Sequence, residues 1–335
     1  MTTRRKLLLT ALAAVLLAAA AIGYAVSRPR PSPRPVAAAA GPVTLATGPG
    51  TPAAGPGTRA AGPRILAITD RHLTVAPLGG DSRSISGVEC LRAYAAAGTA
   101  ICLRPKTAWS YEAAVLDEEL HERTAFAVPG LPNRARVSAS GRMVSWTTFV
   151  GGDSYAGSAF STRTGILDTR TGNRADTLEN FTIRRDGRPY RSADVNFWGV
   201  TFTADDNRFY ATMSTGRKRY LVLGDFAARS VTTIKENVEC PSLSPDGTRL
   251  AFKQAINADP ARGWRLSVLD LSTMRVTETT EPTSVDDQAA WLDDHTLMYT
   301  LRTGDGTPTV WSVPADGTGA PHPLLTGAES PAPLK

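Results

Sequence analysis

Cysteine, histidine and strong charge of either sign are all scarce in this chain. Of its 335 residues three are cysteine and four are histidine, and the formal net charge is only +6. Part of that charge (Arg4, Arg5, Lys6, Arg28, Arg30 and Arg34) belongs to the N-terminal stretch. A phosphate backbone is held by Lys and Arg clustered on one face, so no nucleic-acid partner is expected. His72, His121, His295 and His322 fall singly in predicted turns, none at a metal-ligand spacing, so neither metal nor cofactor is expected. Gly152-Asp153-Ser154-Tyr155-Ala156-Gly157 superficially resembles a nucleophile elbow. That motif requires a strand before it, a helix after it and later Asp and His partners. A Gly-rich hairpin is the better reading, and no catalytic residue is assigned. Asp205-Asp206, Asp286-Asp287 and Asp293-Asp294 lack the alternating ligands and fixed glycine of a calcium loop; turn chemistry accounts better for Asp205-Asp206 and Asp293-Asp294, and the third pair differs. Among the cysteines, Cys90 and Cys102 fall on adjacent strands of one predicted hairpin. They could pair in an oxidising compartment or lie on opposite faces, and Cys240 is left over.

Long apolar runs are equally rare, with one exception. Leu7–Val26 is apolar or small throughout and follows the cationic Arg4, Arg5 and Lys6. A bilayer-spanning helix needs about 20 such residues and a cleaved signal about 7–15. Residues 1–27 therefore read as a signal anchor, with cleavage near Ala37–Ala40 as the alternative. The early arginines keep the N-terminus inside and place the rest of the chain on the extracytoplasmic side. Residues 28–63 are dense in Pro, Ala and Gly and permit neither helix nor paired strand, which makes them a linker.

The remaining residues, 64–335, repeat. Val238–Phe252, VECPSLSPDGTRLAF, is a short strand, a Ser-Pro-Asp-Gly turn and a second strand of alternating apolar residues. Proline pre-sets φ in such a turn and glycine accepts the left-handed position. The frame returns in weaker form at Val88, Asn133, Phe197 and Val285, and each copy is followed by a further strand and hairpin. Four short strands per unit at this period describe a propeller blade. The first blade has no inner strand of its own. Glu329-Ser330-Pro331 near the C-terminus matches Glu239-Cys240-Pro241, so the last strand should close a ring of six. The fold class is therefore all-β, a six-bladed β-propeller of four-stranded antiparallel blades preceded by a transmembrane helix and a linker. Closure removes exposed sheet edges, and a monomeric propeller is expected.

With FWGVTF, ENVECPSLSPDGTRLAFK, WRLSVLDL, SVDDQAAWLDD and VWSVPADG in place, the chain resembles the TolB-like six-bladed propellers. The actinobacterial members are the nearest in character, in keeping with a composition rich in Arg, Ala, Gly and Pro. The resemblance implies a propeller fold and a partner in the cell envelope. TolB itself carries an additional α/β domain with no counterpart in these residues.

Glu89, Glu239, Asp287 and Glu329 align in the repeat frame. Asn133 takes that place in its blade, and in blade four Trp198 does, with Asp194 just upstream. If these positions begin the inner strands, their side chains converge on one mouth of the central channel. Gathered carboxylates need a cation, a basic ligand or arginine partners. Two readings follow: a ligand-binding rim, or a solvated rim paired with nearby arginines. The basic runs Arg184, Arg185, Arg188, Arg191 and Arg217-Lys218-Arg219 read as solvated loops, and the tryptophans as packing between blades. The function expected is non-catalytic binding or scaffolding for a protein or envelope ligand. An envelope lyase or hydrolase with its site at the channel mouth is the alternative.

Overall fold

The computed structural model describes residues 43–45, 62–80, 82–151 and 161–334. The apolar stretch Leu7–Val26 and the Gly152–Gly157 motif lie outside them. Among the described residues no helix is long and apolar enough to cross a membrane.

The repeat frame folds into six sheets, five of four antiparallel strands and one of six. Blade one is closed by the C-terminus as expected. Glu329–Leu334 is its inner strand, paired antiparallel with Arg64–Thr69, and His72–Pro77 and Ser84–Glu89 lie outside. The inner strands of the other blades are Arg92–Ala96, Leu131–Val137, Asn196–Phe202, Glu239–Leu243 and Ala290–Trp291. All six inner strands run the same way along the channel. Their first residues ring one mouth, here the rim face, and the Ser-Pro-Asp-Gly turn and its relatives ring the other, the turn face.

Blade four departs from the pattern. Its outer strand Ser230–Glu236 is extended by Thr182–Arg185, which pairs with it in parallel, and then by Arg188–Tyr190. The basic runs sit on this extra hairpin and its neighbour. There Arg185 stacks 4.3 Å from the Tyr190 ring, and Lys218 pairs with Glu236 at 3.0 Å.

The turns use their aspartates as the sequence suggests. Asp246 Oδ1 accepts from the Thr248 amide at 2.9 Å, and Gly247 takes φ +71°. Asp205 accepts the Asn207 and Arg208 amides, and Asp293 those of His295 and Thr296. Each carboxylate satisfies amides that the bend would otherwise leave open.

The core lies between neighbouring sheets, where alternate side chains interdigitate. Trp146 and Trp291 are buried there, whereas Trp198, Trp264 and Trp311 are half-buried. Trp109 departs from the packing expected of the tryptophans other than Trp198, because it is 95% exposed. It occupies the tip of the hairpin joining Thr99–Thr107 to Ser110–Leu116, where no sheet covers it.

Within the stretch read as linker, Val43–Leu45 lies against the propeller. The Leu45 amide donates to the Glu118 carbonyl at 2.8 Å, and its side chain is buried in the cluster containing Leu66, Leu116 and Leu334. Pro and Gly on either side prevent a helix or strand but do not prevent one leucine from docking.

Candidate functional site

The rim face gathers most of the aligned residues, though not all in the expected positions. Glu239 and Glu329 begin inner strands of blades five and one. Each is followed by a residue at positive φ, Cys240 at 49° and Ser330 at 55°, and Gly199 at 65° takes the same place after Trp198. Strand register shifts at all three points, so a left-handed bulge turns the rim residue out of the ladder. Glycine is required at 199. A Cβ there would lie 2.7 Å from the Cys240 Cα of the next blade.

Glu89 is a correction. It ends the outer strand of blade one, paired with His72, and meets Arg71 at 3.2 Å with its side chain more than half exposed. The next residue shows why: the Cys90 amide donates to the Arg71 carbonyl, which carries the chain past the frame. Blade two begins its inner strand only at Arg92. Asp287 likewise precedes its strand. Its carboxylate accepts from the amides of Gln288 at 2.9 Å and Thr300 at 3.0 Å, substituting for a ladder bond. Asp194 accepts from the Gly216 amide at 2.6 Å and from the hydroxyls of Ser192 and Thr215, so it fastens a hairpin. Desolvation opposes its charge, but these donors outweigh that and hold its carboxyl below the ordinary range. Asn133 contributes its carbonyl, which accepts from Arg92 Nε at 2.9 Å and from Arg134.

The rim carboxylates are matched by cations from other blades. Glu329 receives Arg92 at 3.1 Å from blade two and Arg302 at 2.7 Å from blade six. Glu239 is buried, accepts from Trp264 Nε1 at 3.0 Å and has Arg219 at 3.7 Å. Asp286 binds Lys253 and faces Arg134 at 3.6 Å. Burial pushes the Asp286 carboxyl up, and Lys253 and Arg134 overcome that to hold it low. Lys253 also lies 4.1 Å from the Trp264 ring, a cation–π contact. Sequence reasoning named Glu239 and Glu329 but gave the rim place to Asp287 where Asp286 meets the cations, and it missed Arg92, Arg134, Lys253 and Arg302, which have no shared place in the repeat frame.

On the rim side only about 20 Å³ remains, among Arg92, Asn133, Arg134, Arg136 and Asp287. On the turn face a funnel of about 250 Å³ opens. Tyr94 and Arg136 line both spaces.

Cys90 and Cys102 form a disulfide with Cα atoms 5.5 Å apart, and Cys240 is buried and free. Among the described residues, Asp117, Glu119 and His121 are the one His/Cys/acid group compact enough for a metal. Two of its members are exposed, and Asp117 Oδ1 already accepts the Glu119 and His121 amides. The arrangement is a turn.

No known family profile matches the chain, and no curated protein matches it in sequence. Solved structures do match in fold. The TolB of Acinetobacter baumannii aligns at a TM-score of 0.60 and 17% identity, covering 81% of this chain and 66% of that one. The chain thus spans just under two thirds of that TolB. A chain from a nidogen/laminin complex aligns at 0.54 and 11% identity, over 82% of this chain and 99% of that one. Neither likeness bears on the actinobacterial origin that composition suggests. With six sheets closed by the C-terminal strand, the fold is that of the TolB-like six-bladed β-propellers.

Proposed function

We propose that this chain is an extracytoplasmic binding protein, tethered through Leu7–Val26, which presents the rim face of its propeller to a protein partner. The observation that carries the reading is Trp109. It stands 95% exposed on a rim-side hairpin of blade two, and Leu131, 50% exposed, begins the inner strand of blade three on the same face. Among the described residues Trp109 is the most exposed large apolar side chain, and tryptophan is the residue most enriched among binding hot spots. The paired rim charges support the same reading. With Glu329, Glu239 and Asp286 each held by cations of the protein itself, the mouth is a preorganised polar surface around those apolar anchors. The likeness to a chain solved in a nidogen/laminin complex is in keeping with such a role.

A photo-crosslinking residue at position 109, introduced into the full chain in intact cells, should capture one discrete protein. Capture through a second rim position should fall at least tenfold in Trp109→Ala,Leu131→Ser with an unchanged melting temperature. A turnover lost in Glu239→Gln with folding intact would instead make the rim an enzyme site. Absence of any discrete adduct at 109 would also defeat the proposal.

A further inference from the structure

The funnel on the turn face lies at the opposite end of the channel from the rim. Every blade contributes to it: Tyr94, Arg136, Thr201, Leu243, Trp291 and Pro333 come from blades two, three, four, five, six and one. Its volume of about 250 Å³ is below the roughly 300–1,000 Å³ of pockets for drug-sized molecules, so its occupant is small.

Arg136 forms the floor. Its residue is 4% exposed. One terminal nitrogen donates to the Ala289 carbonyl at 3.0 Å, and the guanidinium lies 4.2 Å from the Tyr94 ring. Its Nε is buried without a partner, and no carboxylate pairs with it among the described residues. The contrast with neighbouring Arg134, which faces Asp286 at 3.6 Å, is direct. A buried cation without a counter-charge is costly, and an aromatic face and one carbonyl only partly offset the loss of water. The missing partner is an anion, and the funnel is its route to the guanidinium. Arginine's planar fork suits a carboxylate in particular. Above it the lining includes Tyr94, Phe202, Trp291 and Leu243, with Ser138, Ser244 and Asp246 at the turn; the Asp246 carboxylate is already held by Ser244, Thr248 and Arg249. Thr201 Oγ1 accepts from the Leu243 amide at 3.1 Å, which leaves its hydroxyl hydrogen free to donate.

We infer that the turn-face funnel binds a small carboxylate with an apolar body, its carboxylate on Arg136 and its body against the aromatic wall. The site is separate from the protein-binding rim and does not depend on that role.

The test uses 4-fluorobenzoate as probe, observed by fluorine NMR line broadening in the presence of the full-length chain. Saturable broadening is expected, with the neutral 4-fluorobenzamide at least tenfold weaker. Arg136→Met should abolish binding and leave the melting temperature unchanged or raised, because an unpaired buried charge has been replaced by a side chain of similar length. Arg136→Lys should keep weakened binding. The inference is overturned if the probe is not broadened, if benzamide equals benzoate, or if Arg136→Met binds as the parent does. It is equally overturned if Arg136→Met lowers the melting temperature by several degrees, since the arginine would then be satisfied within the ring. Competition by inorganic phosphate as strong as by unlabelled benzoate would make this an inorganic-anion site and sink the carboxylate assignment.

Discussion

Glu179 shows how a single side chain responds to its surroundings. It lies in the short 3₁₀ turn Leu178–Asn180 ahead of blade four's extra hairpin, and its carboxylate accepts from the Thr177 hydroxyl. Desolvation pushes its carboxyl up from 4.5 to about 7. The folded state therefore favours the neutral acid. That contribution to stability is fully present below the ordinary value of 4.5 and is lost as pH rises through about 7. Glutamine imitates the neutral form, so Glu179→Gln should melt increasingly above the parent between about pH 5 and about pH 8. A gap that stays constant across this range would show that Glu179 does not titrate as argued. The rim carboxylates illustrate the opposite outcome, since Asp286 stays charged because Lys253 and Arg134 are beside it.

At the scale of elements, the disulfide has a position that the strand pattern only half suggests. Cys102 lies in the second strand of blade two, as expected, but Cys90 lies in the crossing from blade one to blade two. The bond therefore fastens a connection between blades as well as a hairpin. Its sequence separation is 12 residues, and by loop entropy it should contribute about 2–3 kcal/mol. Cys102→Ala should lower the unfolding free energy read from urea titration by that amount, with a lower midpoint, and reductant should shift the parent equally. A midpoint indifferent to reductant would refute the estimate.

The slip at Glu89 is an element-level effect too. Glu239 stands eight residues before the turn glycine, Gly247, and Glu89 stands nine before Gly98 (247 − 239 against 98 − 89). One additional residue, with the Cys90 amide bonded to Arg71, is enough to leave the carboxylate on the outer strand. Leu45 was illegible for a different reason. A lone leucine in a Pro/Gly-rich stretch has no periodicity to read, and its socket is built from residues such as Leu116 and Leu334 that are remote in sequence.

For the whole molecule the decisive element is the last strand. Glu329–Leu334 supplies the inner edge of blade one, buries Ala332 and Leu334, and brings Glu329 between Arg92 and Arg302. A chain ending at Ala328 would leave Arg64–Thr69 as an open edge facing the channel. Its melting should shift down as a single cooperative loss, and an unchanged transition would contradict the closure.

The local signals were sufficient for the blade. Ser-Pro-Asp-Gly, the alternating apolar strands and the match of Glu329-Ser330-Pro331 to Glu239-Cys240-Pro241 determine the fold class, the number of blades and the closing strand. All of these depend on φ preferences and period-two patterning within about fifteen residues. The charge partners at the rim were decided only by closure, because Arg92 and Glu329 meet across 237 positions of chain. The same holds for Arg136, whose lack of a counter-charge exists only once six inner strands enclose it. Electrostatic pairing depends on distance in space, which a repeat frame does not encode.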